Sequence, residues 1–172
     1  MIERSGIFEF AGKDAPVLGE ALAAGQPAPE ALVQNQAYEP VSILASTAGK
    51  VRIIAAVPSL DTSVCDRETR RFNVEAAALG SDIAILVISM DLPWTQRRWC
   101  GAAGVDAVTV LSDHFSGEFG IRYGCLLKNQ RILRRSVFVV DRNDRVVYAD
   151  YMPVLGVEPN YEAVLAAARE AL

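Results

Sequence analysis

The amino-acid sequence predicts an α/β fold. Residues 51–57 and 83–89 are apolar, β-rich runs, as expected of strands buried on both faces. Residues 62–79 between them read as a helix that Gly80 ends. Strand, helix and strand in succession, followed by further short strands and helices, define this class.

The elements follow in order. Residues 7–10 and 15–18 suggest a small hairpin turning at Gly12-Lys13. Residues 1–24 would then be an N-terminal hairpin extension of a single domain that takes up residues 1–172. Gly25-Gln26-Pro27-Ala28-Pro29 is rich in turn residues and reads as a loop, not a linker between domains. A second break covers residues 46–50. Residues 93–100 read as a short helix with Pro93 early and Gly101 at its end. Residues 108–111 form a short strand, and residues 118–123 are too short to assign. Residues 137–140 and 146–151 are strands around the turn Asp141-Arg142-Asn143-Asp144, and residues 161–172 form a last helix. This order is that of a thioredoxin-like domain.

Composition narrows the function. The chain has 172 residues, 51% of them hydrophobic, and a formal net charge of −4. A nucleic-acid binder would carry a basic face, which this balance does not supply. No apolar run approaches the roughly 20 residues that span a bilayer. Met1-Ile2-Glu3-Arg4-Ser5-Gly6 lacks the basic and apolar regions of a signal peptide, so a cytoplasmic protein is expected. Three cysteines are too few, and odd in number, for a disulfide framework; a disulfide here is expected to be catalytic. Gly49-Lys50 resembles the end of a phosphate-binding loop but lacks the first glycine and the following Ser/Thr. His114, the one histidine, cannot build a typical zinc site with three scattered cysteines. It could serve a Cys-His pair, but Ser112-Asp113-His114-Phe115-Ser116 reads as a solvated loop. Neither a metal nor a cofactor is expected.

The chemistry centres on Cys65. The run Pro58-Ser59-Leu60-Asp61-Thr62-Ser63-Val64-Cys65 follows the first buried strand directly. It reads as a proline turn, a Thr62/Ser63 cap and a cysteine in the first helical turn. A helix N-terminus offers free N–H groups and a positive dipole end. A thiol there ionises more easily, and the thiolate is the reactive form. The competing reading is an inert buried cysteine. The spacing P-x-x-x-T-x-x-C favours reactivity. Pro58 shapes the turn and shields the sulfur, and the Thr62 hydroxyl can donate and accept near the sulfur and an incoming substrate. Cys100, after Trp99 near a helix end, fits a core position equally well on spacing alone. Arg134 and Arg135 precede a strand, where alternation lets only one of them face the site.

That spacing is the active-site signature of the peroxiredoxins. Further segments extend the likeness: Arg70-Arg71-Phe72-Asn73, Asp91-Leu92-Pro93-Trp94, Arg98-Trp99-Cys100-Gly101, Leu111-Ser112-Asp113, the run Arg135 to Asp141 and Glu158-Pro159-Asn160-Tyr161. Together they resemble the bacterial thiol peroxidase subfamily, the atypical two-cysteine peroxiredoxins. The resemblance implies that Cys65 is the peroxidatic cysteine and Cys100 the resolving one, joined as an intramolecular disulfide. It implies that Arg135 holds the thiolate and polarises the departing oxygen. It further implies thioredoxin as reductant, a preference for organic hydroperoxides over hydrogen peroxide, and a homodimer. Cys125 is expected to be a small core or loop residue. A disulfide needs Cα atoms within about 7 Å. Local unwinding is therefore expected around Cys65, around Cys100, or around both. Departures from the subfamily pattern, such as Glu30-Ala31, His114-Phe115 and Leu155-Gly156-Val157, leave Pro58, Thr62, Cys65, Cys100 and Arg135 untouched. Two other classes stand beside this one. A thioredoxin-type disulfide oxidoreductase would want a cysteine where Thr62 stands. A redox sensor would use the same sulfur chemistry to control a partner protein.

Overall fold

A seven-stranded sheet organises the structure, a computed structural model that describes residues 1–172. The strands are β1 (Glu3–Arg4), β2 (Glu9–Phe10), β3 (Lys13–Asp14), β4 (Val17–Leu18), β5 (Leu32–Gln34), β6 (Pro40–Ser42), β7 (Val51–Ala56), β8 (Ile83–Ser89), β9 (Thr109–Ser112), β10 (Leu126–Leu127), β11 (Ser136–Val140) and β12 (Val146–Tyr151). The helices are α1 (Ser63–Leu79), α2 (Pro93–Ala103), α3 (Glu118–Arg122) and α4 (Tyr161–Glu170).

The main sheet runs β12-β11-β7-β8-β9-β5-β6. β7, β8 and β9 are parallel, and the pairs beyond them on both sides are antiparallel. β7 is central and covered on both faces, so its sequence shows no polar alternation and is apolar at every position but one. Arg52 interrupts that run. Its buried guanidinium reaches the Thr47 hydroxyl, the carbonyls of Leu44 and Asp141, and the Asp144 carboxylate, which compensates its lost hydration.

Alternate residues of the sheet feed two cores. Ile53, Ala55, Ile85, Val87, Val137 and Val139 face Phe72 of α1, Cys100 of α2 and Val164 of α4. Ile54, Ala56, Leu86, Ile88, Phe138 and Val140 face Phe119 of α3 and Tyr123. The thioredoxin-like order of elements is therefore the observed one.

Several boundaries differ from the sequence expectation. The hairpin is shorter, pairing Glu9 with Asp14 and Phe10 with Lys13. It turns at Ala11-Gly12, both at positive φ (51° and 75°), as a two-residue hairpin loop requires. Val17 and Leu18 pair instead with β1 and β10 in a separate three-stranded sheet. α2 continues through Gly101 to Ala103, and the left-handed residue that ends it is Gly104 (φ 64°, ψ 34°). The unassigned segment contains α3. β5, β6 and β10 are strands of two or three residues, too short to leave a periodic signal.

Candidate active site

Helical periodicity places Cys65. The buried residues of α1 are Cys65, Glu68, Thr69, Phe72 and Leu79, one stripe facing the sheet. Cys65 is the third residue of the helix and is 0% exposed. Before it, Val57 N–H still donates to Ile88 O at 2.9 Å, extending the ladder beyond β7. Pro58, buried and without an N–H, ends that ladder and starts the loop into α1.

Thr62 occupies the N-cap position with extended backbone (φ −109°, ψ 146°), but its side chain caps nothing. This corrects the expected Thr62/Ser63 cap. The Thr62 hydroxyl lies 2.8 Å from Cys65 Sγ and 2.9 Å from Ser59 O. Its single proton serves one acceptor at a time. It can donate to a sulfur anion, or donate to Ser59 O while accepting from the thiol. Giving up a cap costs the helix about 1 kcal/mol.

Arg135 supplies the second donor. The pairing of Ser136 with Ala56 sets Arg135 at the end of β11 next to Val57, on the same face as Val137 and Val139. Its Nη2 is 3.2 Å from Cys65 Sγ, and its Nε donates to Leu155 O at 3.0 Å. Its Nη1 is bonded to Glu68 Oε2, and both side chains are 1% exposed. Arg134 points the other way, donating to Met152 O at 3.0 Å and covering the rings of Phe8 and Tyr151. Of the two arginines, Arg135 is the one that lies beside Cys65.

Glu68 is the site residue that sequence reasoning missed. Burial pushes its carboxyl up to about 7, Arg135 pulls it back, and Glu158 adds to the rise. Glu68 Oε1 has no hydrogen-bond partner. The signal was available: a glutamate on the apolar stripe of α1, one helical turn after the cysteine.

Cys100 is also buried, in the same core as Cys65, and both sulfurs are free thiols. Burial raises the Cys100 thiol, and a hydrogen bond from Gln36 Nε2 at 3.4 Å works against that rise. Gln36 comes from the loop between β5 and β6. The residue before Cys100 is tied to the residue after Cys65: Trp99 Nε1 donates to Asp66 Oδ1 at 3.1 Å. Arg70 lies over the Trp99 ring and donates to Ala103 O at 3.0 Å, holding the last turn of α2 to α1. Beside this junction an open cleft of about 360 Å³ is lined by Leu60, Asp61, Thr62, Ser63, Asp66, Arg67 and Trp99.

The other candidates lie elsewhere. Cys125 is fully buried in the opposite core, and burial pushes its thiol far up. His114 is half-buried, not freely solvated: its Nε2 is 2.9 Å from Gln34 Oε1 and its ring meets Tyr38 edge-on. No three His, Cys, Asp or Glu side chains are grouped to hold a metal ion.

The redoxin family model matches residues 23–165. The chain belongs to the redoxin family. A thiol peroxidase of Bacillus subtilis is 48% identical over 160 residues, covering 93% of this chain and 95% of that protein. A thiol peroxidase of Clostridium acetobutylicum is 41% identical over 163 residues, 95% of this chain and 98% of that one. Among solved structures, a peroxiredoxin-like protein from Aquifex aeolicus superposes with a TM-score of 0.88 at 32% identity, covering 98% and 99% of the two chains. The resemblance to peroxiredoxins read from the motifs thus extends to most of this redoxin chain and to its fold.

Proposed function

We propose that this protein is a thiol peroxidase in which Cys65 reduces hydroperoxides and Cys100 resolves the product. One observation carries the reading: Cys65 Sγ lies between the Thr62 hydroxyl at 2.8 Å and the Arg135 guanidinium at 3.2 Å. Both donors sit where negative charge resides before the reaction, on the sulfur. Both are also near where it develops during the reaction, on the departing oxygen.

The Cys65 thiolate attacks one oxygen of the peroxide. The O–O bond breaks, and its electron pair leaves with the second oxygen, which takes a proton and departs as alcohol or water. Cys65 becomes a sulfenic acid, oxidised by two electrons. The Cys100 sulfur then attacks that sulfenic sulfur, forming the disulfide and releasing water. A dithiol of the thioredoxin type returns both cysteines to thiols by exchange. Glu68 fixes the direction of the Arg135 fork through their buried hydrogen bond. Organic hydroperoxides and hydrogen peroxide are the substrates, and the working form is a cytoplasmic homodimer. No helix is long and apolar enough to cross a membrane.

Thr62 favours this reading over a dithiol oxidoreductase, because a hydroxyl stands where that chemistry needs a second thiol. The test is mutational. Cys65→Ser should abolish hydroperoxide consumption. Cys100→Ser should allow Cys65 a single oxidation and then stop turnover with thioredoxin. A Cys65→Ser protein that retained thioredoxin-dependent turnover would overturn the proposal.

A further inference from the structure

We propose that Asp91 is a positioning residue for the peroxide step, acting through Ser59 and Thr62 on Cys65; this rests on the peroxidase reading above. Asp91 lies in the turn between β8 and α2, and its carboxylate reaches across to the loop that precedes Cys65. Oδ1 accepts from Ser59 Oγ at 2.7 Å. Oδ2 accepts from Leu60 N–H at 2.8 Å and from Ser89 Oγ at 2.7 Å. All three donors are neutral, two of them in the loop before Cys65 and one at the end of β8, so the carboxylate serves as a hydrogen-bond hub that ties the loop to the strand.

The loop it grips is the one that aims the Thr62 hydroxyl. The Ser59 side chain is held by Asp91, while the Ser59 carbonyl accepts from Thr62 N–H at 3.2 Å and faces Thr62 Oγ1 at 2.9 Å. Thr62 Oγ1 is in turn 2.8 Å from Cys65 Sγ. The result is a continuous path from carboxylate to sulfur, each link within hydrogen-bonding distance. Thr62 makes no cap bond that would otherwise fix it.

The hub is itself anchored. Ser112 Oγ donates to the Asp91 carbonyl at 2.5 Å, and the Asp91 N–H donates to Ser89 Oγ at 3.3 Å. Ser89 Oγ also accepts from Gln96 Nε2 at 3.1 Å, and Gln96 is fully buried and donates to Leu111 O at 2.7 Å. Gln96 lies in the first turns of α2, whereas Cys100 lies toward its far end. The hub therefore pins the near end of α2 together with the Cys65 loop. Movement of Cys100 at the far end leaves it in place. Asp91 thus acts on oxidation of Cys65, and not on disulfide formation.

The test uses the full chain and rapid-quench mass spectrometry, which separates thiol, sulfenic acid and disulfide forms after mixing with cumene hydroperoxide. Asp91→Asn exchanges one acceptor oxygen for a donor and so loses at least one bond. Oxidation of Cys65 should slow by about tenfold, while conversion of sulfenic acid to disulfide keeps its wild-type rate. Thr62→Val should slow oxidation too, and adding Asp91→Asn to it should cost nothing more, because both changes break the same path. A merely structural role would give additive effects. Should Asp91→Asn fail to fold, Ser59→Ala removes the Asp91 link together with the longer bond from Asp61 N–H at 3.3 Å, and should show the same pattern with a smaller, several-fold loss. Wild-type oxidation rates in Asp91→Asn or Ser59→Ala, additive losses with Thr62→Val, or slowing confined to disulfide formation would overturn the inference. Failure of the wild-type protein to form a sulfenic acid at all would instead overturn the peroxidase reading.

Discussion

Replacing Glu68 by glutamine separates the two forces acting on that buried carboxyl. Burial raises it and Arg135 lowers it, and burial wins, taking it from an ordinary 4.5 to about 7. The folded protein then keeps a proton that the unfolded chain releases between those two values. Stability conferred by this group is full below pH 4.5 and is lost as the pH rises through about 7. The gap between 4.5 and about 7, at about 1.4 kcal/mol per pH unit, makes the full loss roughly 3–4 kcal/mol, of which about 3 kcal/mol falls between roughly pH 4 and pH 8. Glu68→Gln has nothing to titrate at this position. The unfolding free energy of the wild type minus that of Glu68→Gln should therefore fall by about 3 kcal/mol between roughly pH 4 and pH 8. Urea unfolding followed by circular dichroism across that range measures it. Asp113, which burial pushes up to about 6, titrates in both proteins and drops out of the difference. A difference that stays flat or rises with pH would mean that Arg135 keeps Glu68 ionised throughout, and would refute the reasoning.

Other expectations follow from the same geometry. Thr62→Val should slow the first oxidation of Cys65 by about ten- to a hundredfold, as befits a lost hydrogen bond to a charged group, and Thr62→Ser should restore most of it. Stopped-flow peroxide kinetics distinguishes the two. Cys125→Ala should leave hydroperoxide turnover unchanged, because Cys125 lies in the opposite core from Cys65 and Cys100; steady-state assays of both proteins check it. Oxidation should open the far end of α2 in preference to its start. Gly101 weakens that end by about 0.5–1 kcal/mol relative to alanine. Hydrogen exchange should accelerate over residues 97–103 in the oxidised protein, while the segment around buried Gln96 stays protected.

Legibility in the sequence depended on whether a signal was local. β8 matches its apolar run end to end, because a buried strand needs continuous β-branched and aliphatic residues, and β12, a sheet-edge strand with only Val146 buried, also keeps its expected bounds. Cys65 was legible for two reasons: its motif, and its place in the first turn of a helix that follows a buried strand. Only the family resemblance separated Arg135 from Arg134, since the facing of a strand end is fixed by the pairing of β11 with β7, a contact made across the sheet. Glu68 was legible but unused: an acidic residue on an apolar stripe announces a buried partner. Gln36 was not, because it reaches Cys100 from a loop between two three-residue strands. Thr62 reads both as a cap and as a partner of the sulfur; both roles leave the same residue at the same position, and the side-chain direction selects the sulfur contact.

The central claim is that Cys65 and Cys100 form the two halves of one peroxide-driven cycle. Treating the reduced protein with a stoichiometric amount of hydroperoxide, blocking the remaining thiols and mapping disulfides by mass spectrometry tests it most directly. A single intramolecular Cys65–Cys100 bond is expected, with Cys125 recovered as a blocked thiol. A bond to Cys125, or a Cys65 left untouched by peroxide, would contradict it.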